Sequence, residues 1–428
     1  MLKYLIVGVG IICSFLYIIF FVSLGIPSFD DYYATVSLVK QYYFDNPGFK
    51  EKIELLFARH NEHRIVVSRL TTVIYYGLFQ KINFVHLVIF QNIFLFGFIF
   101  LIIKLYKKER QFDPVTFLLI VIFLCSTSFW QVSNFYWAGI QHFVIMFFSF
   151  ASLIVLDKTE KIRSLDFLLA VLLAILAVLS FGNGFLVLLM GIFLLFAKRK
   201  YAILGVWTTI AILLIVYSLF GDKGDTVLKS SFNPEWMARL LFTFLGSFFY
   251  VNWAPASHAN IVLCMIVGIC VLGFWVWLFF SKYAFRKPLL YSLLSLPILS
   301  AIIISISRFE AKSAGGIAPR YMFFSAIIPV IIVLILLDLK LIKREKIKYA
   351  FPVLLPIWAF MFYNNYHSLK QMNEEQIAVT EAWKQNKQRS LVYYDQSDGT
   401  SKVLQWATCN QVIDHEIYEG ACDSKGTQ

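Results

Sequence analysis

The sequence predicts an all-α polytopic membrane protein of about 11 transmembrane helices, with its N-terminus inside and its C-terminus outside. Three observations carry that prediction. First, 59% of the 428 residues are hydrophobic, 18% aromatic and only 15% charged, with a mean hydropathy of +0.71; a soluble globule needs more polar surface. Second, apolar runs of roughly 17 to 25 residues, enough to cross a hydrocarbon core, recur along the chain. Third, Lys and Arg gather in alternate loops, as they do on the cytoplasmic side of a membrane.

Taken in order, the chain opens with Met-Leu-Lys and an unbroken apolar stretch from Tyr4 to Ile26. That stretch is longer than a signal-peptide core and lacks an A-x-A-like cleavage site, so it reads as a retained first span. Further spans fall near 83–104, 114–130, 140–156, 165–181, 185–197, 201–220, 259–281, 288–306, 321–339 and 349–366. The sixth is short, and "FGNGF" (Phe181 to Phe185) reads as a tight turn before it.

Every second loop is basic: Lys3; Lys104, Lys107, Lys108 and Arg110; Lys158, Lys161 and Arg163; Lys198, Arg199 and Lys200; Lys282, Arg286 and Lys287; Lys340, Lys343, Arg344, Lys346 and Lys348. These loops hold 19 of the 38 Lys and Arg residues. The net charge of +12 therefore reports orientation, and a nucleic-acid partner is set aside.

All the long polar pieces then fall on the other face: 27–82, 221–258, 307–320 and the tail 367–428. Domain organisation follows, with a transmembrane unit over 1–366 and an extracytoplasmic C-terminal tail over 367–428. Loops longer than about 12 residues are uncommon unless they work or are disordered, so function belongs on the outer face. Within 27–82, Ile53, Leu56, Phe57, Ile65, Val66 and Leu70 are spaced for a helix lying along the interface. Cys13, Cys125, Cys264 and Cys270 fall in spans, whereas Cys409 and Cys422 lie in the tail. A bond between the last two is the favoured reading and requires an oxidising compartment; two free thiols are the alternative, since their spacing alone does not prove pairing.

Candidate chemistry begins at "GIPSFDDYYATV" (Gly25 to Val36), where Asp30 and Asp31 follow the first span. Adjacent side chains diverge by about 100° on a helix and face opposite ways on a strand, so only one of these carboxylates can address a given reacting atom. The other is left to cap, to orient backbone or to bind metal. In "RHNEHRIVVSR", a helix would place His60, His63 and Arg64 on one face and Glu62 with Arg69 on another. The alternative is a helix whose basic side chains snorkel to headgroups. Two imidazoles with an aspartate are ligand types that suit a divalent cation, but two at this spacing do not define a site and leave the metal unknown.

On the outer loop "SRFEAKSAGGIAPRYMFF", Arg308, Lys312 and Arg320 stand against the positive-inside trend. They suit a lipid-linked phosphate, or ordinary phospholipid headgroups. In the aromatic turns, Trp137 and Gln141 suit a sugar, whose C–H face stacks on an indole while its hydroxyls seek amides; interfacial aromatic anchoring is the plainer alternative.

A carboxylate pair after span one ("FDDYY"), a long first outer loop with an interfacial helix, about eleven spans and an outer tail together resemble the GT-C class of integral-membrane glycosyltransferases. That resemblance implies an acidic base in the first outer loop, so Asp30 and Asp31 inherit the catalytic role. It also implies a sugar donor on a polyprenyl phosphate, a glycan or lipid acceptor of the bacterial cell envelope, and work at the outer face of the plasma (inner) membrane. Arg308, Lys312, Arg320 and Arg64 would then hold the donor phosphate, with His60, Glu62, His63, Trp137 and Gln141 in support. Two other classes stay open. An O-antigen polymerase or ligase would favour a larger central outer loop. A lipid or polysaccharide transporter would place ionisable groups within spans, where His86, Gln91, Asn92 and His142 are the available polar residues.

Overall fold

The computed structural model describes residues 1–45, 47–60, 63–219, 232–251, 258–309, 316–392 and 399–422. The chain is all-α and polytopic, its only sheet among the described residues being a two-stranded hairpin. Among the described residues, eight helices are long and apolar enough to cross a membrane: Leu2–Phe21, Phe84–Lys108, Pro114–Asn134, Tyr136–Lys158, Tyr201–Ser218, His258–Phe280, Pro288–Arg308 and Pro319–Asp338. The remaining expected spans are helical but differ from that standard. Leu165–Val178 has 14 residues and Leu186–Ala197 has 12. Phe351–Gln385 runs for 35 residues and turns polar in its second half, carrying the helix well past the expected end of the membrane unit at 366.

Local chemistry sets the helix ends. Asp113 accepts from the backbone N–H groups of Val115 and Thr116 at 3.0 and 2.8 Å, with Pro114 at the first helical position, which satisfies donors that have no partner inside the helix. Asn83 and Ser164 cap Phe84–Lys108 and Leu165–Val178 in the same way. Between Asn134 and Tyr136 the backbone at Phe135 is extended, so a break falls in a buried region. The amides of Gln91 and Asn92 meet it: Gln91 Nε2 donates to Val132 O at 2.9 Å, and Asn92 Nδ2 donates to Ser133 O at 2.8 Å. A break away from water needs such donors and acceptors, and this accounts for two of the polar residues within the apolar segments.

The two ends of the bundle are chemically distinct. One gathers the lysine-rich loops, tied by Lys108–Asp157, Lys198–Asp157, Lys287–Glu109 and Lys287–Asp338 pairs. At the other end the first polar segment and the tail pack together. Ile82 N–H donates to Val412 O at 2.7 Å, and Asp414 N–H donates to Ile82 O at 2.8 Å. His415 Nε2 lies 3.1 Å from Leu24 O, and Tyr418 is buried. A Cys409–Cys422 disulfide closes the strap that makes these contacts.

Two expectations about the polar segments are corrected. The stretch 221–258 is not all loop: Pro234–Gly246 is a helix, with Asn233 capping Trp236 N–H at 3.1 Å and Pro234 and Glu235 in its first turn. The sequence Asn-Pro-Glu is itself a start signal. The stretch around His60 is not helical, for reasons given below.

Candidate functional site at the end opposite the lysine-rich loops

The first span ends at Phe21, and Phe29 then takes a backbone φ of 47°. For a bulky L-residue that is a strained conformation, held only where its surroundings fix it. The turn throws Phe29 against Trp137, with ring centroids 5.4 Å apart, and separates the two carboxylates. Asp31 points inward and is 1% exposed. Its Oδ2 accepts the Ser28 N–H at 3.2 Å, which closes the turn. Burial pushes its carboxyl pKa well above the ordinary value; the Ser28 amide partly offsets this and the neighbouring Asp30 adds to it. Asp30 points the other way, with its side chain 32% exposed and Oδ2 4.0 Å from His60 Nε2. That gap is too long for a direct hydrogen bond.

His60 belongs to an antiparallel hairpin, Arg59–His60 with His63–Arg64, in register Arg59↔Arg64 and His60↔His63. The helix expected to run through this region ends at Phe57 because Ala58 turns to an extended ψ of 151°. Arg69 explains why the turn holds. Its guanidinium donates to Leu55 O at 2.8 Å, Leu56 O and Arg59 O at 3.4 Å, and Ala58 O. Carbonyls that a continuing helix would satisfy are satisfied by one side chain reaching back from the helix Val66–Phe79. Burial, and then the charge of Arg64, lower the Arg69 pKa to about 10, still far above neutrality. The imidazole of His60 is pulled below its ordinary value mainly by burial, with Asp30 opposing and Arg69 adding, so it is held neutral.

Beside the hairpin lies a cavity of about 280 Å³. Arg59, His63 and Arg308 line it with Asn183, Ser218, Ser307 and Tyr321, over apolar walls that include Phe181, Ile215 and Ile303. Arg59 also donates to Ser218 O at 2.8 Å. Arg320 lies just behind Tyr321, its guanidinium 4.9 Å from that ring and 5.6 Å from the Trp137 ring. Trp137 therefore touches both the Asp30 turn and Arg320. Gln141 is buried one turn further along the same helix.

Of the residues singled out from sequence, His63 and Arg308 meet at the cavity, Asp30 meets His60, and Arg320 meets Trp137. Arg64 sits apart, donating to Phe57 O and Tyr217 O with its guanidinium 4.4 Å from the Tyr217 ring. Glu62 and Lys312 lie outside the described residues. Arg59 takes the cavity position; the sequence offered no signal to separate it from Arg64 while both were placed on a helix. Among the described residues no three His, Cys, Asp or Glu side chains gather as a set that could hold a metal ion. Of the other polar residues within spans, His86 Nδ1 lies 2.9 Å from Tyr75 Oη, and His142 Nδ1 lies 2.8 Å from Ala138 O. Comparison with protein-family models, curated proteins and solved structures returns no match.

Proposed function

We propose that the chain is an inverting glycosyltransferase that moves a sugar from a polyprenyl-phosphate donor to a cell-envelope glycan or lipid, on the outer face of a bacterial inner membrane. In this reading eleven helices cross, including the two short ones and the first half of Phe351–Gln385, with the N-terminus inside. The lysine-rich end is then cytoplasmic, and the Cys409–Cys422 bond lies in an oxidising compartment.

One observation carries the reading. A single hairpin links a half-buried carboxylate to a cationic cavity, with His60 against Asp30 and Arg59 and His63 on the cavity wall with Arg308. Asp30 is the base, accepting the acceptor's hydroxyl proton as its oxygen attacks the anomeric carbon. The lipid phosphate leaves from the opposite face as a stable anion, so no general acid is needed. Arg59 and Arg308 strengthen their hold as negative charge develops on it. Asp31, its carboxyl pKa raised by burial and its Oδ2 bonded to the Ser28 amide, shapes the turn and takes no part in proton transfer. The apolar cavity walls suit the first isoprene units behind the phosphate.

The test follows sugar transfer from a polyprenyl-phosphate donor in membranes carrying Asp30→Asn or Asp31→Asn. Abolished transfer with the first and retained transfer with the second is expected; full transfer with Asp30→Asn would overturn the proposal.

A further inference from the structure

The turn Gly182–Phe185 is built around one amide. Gly182 stands where a Cβ would come within 2.4 Å of His63 Nδ1, and a Cβ on Gly184 would come within 2.2 Å of Ala177 O. Both neighbours are therefore admitted only by glycine, and between them Asn183 is fixed at the cavity wall. Its Nδ2 donates to Ser300 Oγ at 2.7 Å, while its Oδ1 is buried with no hydrogen-bond partner among the described residues. Asn183 as a whole is 5% exposed.

Turning the amide over does not remove the problem. The Ser300 hydroxyl can give or take, but it reaches one end of the amide only, so the other end stays unsatisfied either way. A buried amide end without a partner costs about 1–3 kcal/mol, and the residue that carries it lines a cavity that also presents Arg59 and Arg308.

We infer that Asn183 is a specificity-determining residue, whose free amide end takes a ring hydroxyl of the sugar bound in the cavity while Arg59 and Arg308 take the phosphate. A hydroxyl is the fitting partner because it is neutral and both donates and accepts. A second phosphate oxygen would be drawn to the guanidinium groups instead. This assignment rests on the cavity's being a sugar-phosphate site, and the experiment separates the two claims.

The full chain in nanodiscs is titrated with two probes by native mass spectrometry. One is a polyprenyl monophosphate, which has no sugar; the other is an alkyl glucoside, which has no phosphate. With Asn183→Leu, glucoside binding weakens about tenfold, as expected for one lost hydrogen bond to a buried group, and phosphate binding is unchanged. With Arg308→Gln the pattern reverses. Ser300→Ala leaves the amide in place and frees only its anchor, so it serves if Asn183→Leu does not fold; its glucoside binding weakens about threefold. Glucoside binding that is unchanged in both Asn183→Leu and Ser300→Ala, or absent from the wild-type chain, overturns the assignment. A wild-type chain that binds the glucoside through Asn183 but not the phosphate overturns the proposed donor while leaving Asn183 in its role.

Discussion

At the lysine-rich end Asp157 is 8% exposed in its side chain and paired with both Lys108, at 3.0 Å, and Lys198, while Lys287 joins Glu109 at 2.7 Å to Asp338 at 3.0 Å. At the opposite end Asp31 is buried deeper and is held by neutral donors, the Ser28 N–H at 3.2 Å among them, and Asp30 faces a neutral imidazole across 4.0 Å. Among the described residues, the buried acid of the first end is held by matched lysines and those of the second by neutral groups. Matched ions tie loops together and have little left to offer a ligand. Carboxylates held by neutral donors keep electrostatic energy that a charged or polar ligand can collect.

That contrast can be broken at several points. The largest expected effect is Asp30→Asn, which lowers sugar transfer about 1000-fold, the range of a lost general base, while thermal unfolding in detergent stays put. Arg69→Lys comes next. A lysine cannot span the carbonyls of Leu55, Leu56, Ala58 and Arg59, so stability drops by about 2 kcal/mol and transfer falls about tenfold as the hairpin shifts; both are read on the same preparation.

Asp157→Asn costs about 2 kcal/mol of stability, because a mostly buried charge pair loses one side, but transfer per folded molecule is unchanged. Loss of transfer there without loss of stability would erase the distinction between the ends. The smallest effect at mildly acid pH is that of Asp31→Asn. Asp31 has a raised pKa in the folded chain, so its protonated form is fully stabilising below about pH 4, its unfolded value, and that contribution is lost as pH rises toward the folded value. Wild-type stability therefore falls through this window at up to about 1.4 kcal/mol per pH unit relative to Asp31→Asn, which unfolding curves of the two proteins at stepped pH will show.

Much of the bundle was legible because hydropathy and lysine placement are both dictated by the membrane. Asp113-Pro114 and Asn83 mark helix starts in plain sequence. The divergence of Asp30 from Asp31 also followed from geometry alone. What could not be read was the hairpin at Arg59–Arg64. The apolar spacing on either side of it fits a helix, and the residue that ends the helix, Arg69, acts from ten positions away through a contact that only folding creates. The role of Asn183 was hidden for the same reason: "FGNGF" announces a turn, but its neighbours His63 and Ser300 lie more than 100 residues away on either side.

The pairing of Ile82 with Val412 and Asp414 has a consequence for biogenesis. The segment bearing Asp30 leaves the ribosome long before the backbone that clasps its far end is made. A nascent chain halted anywhere before residue 412 carries Asp30 and Asp31 without that clasp.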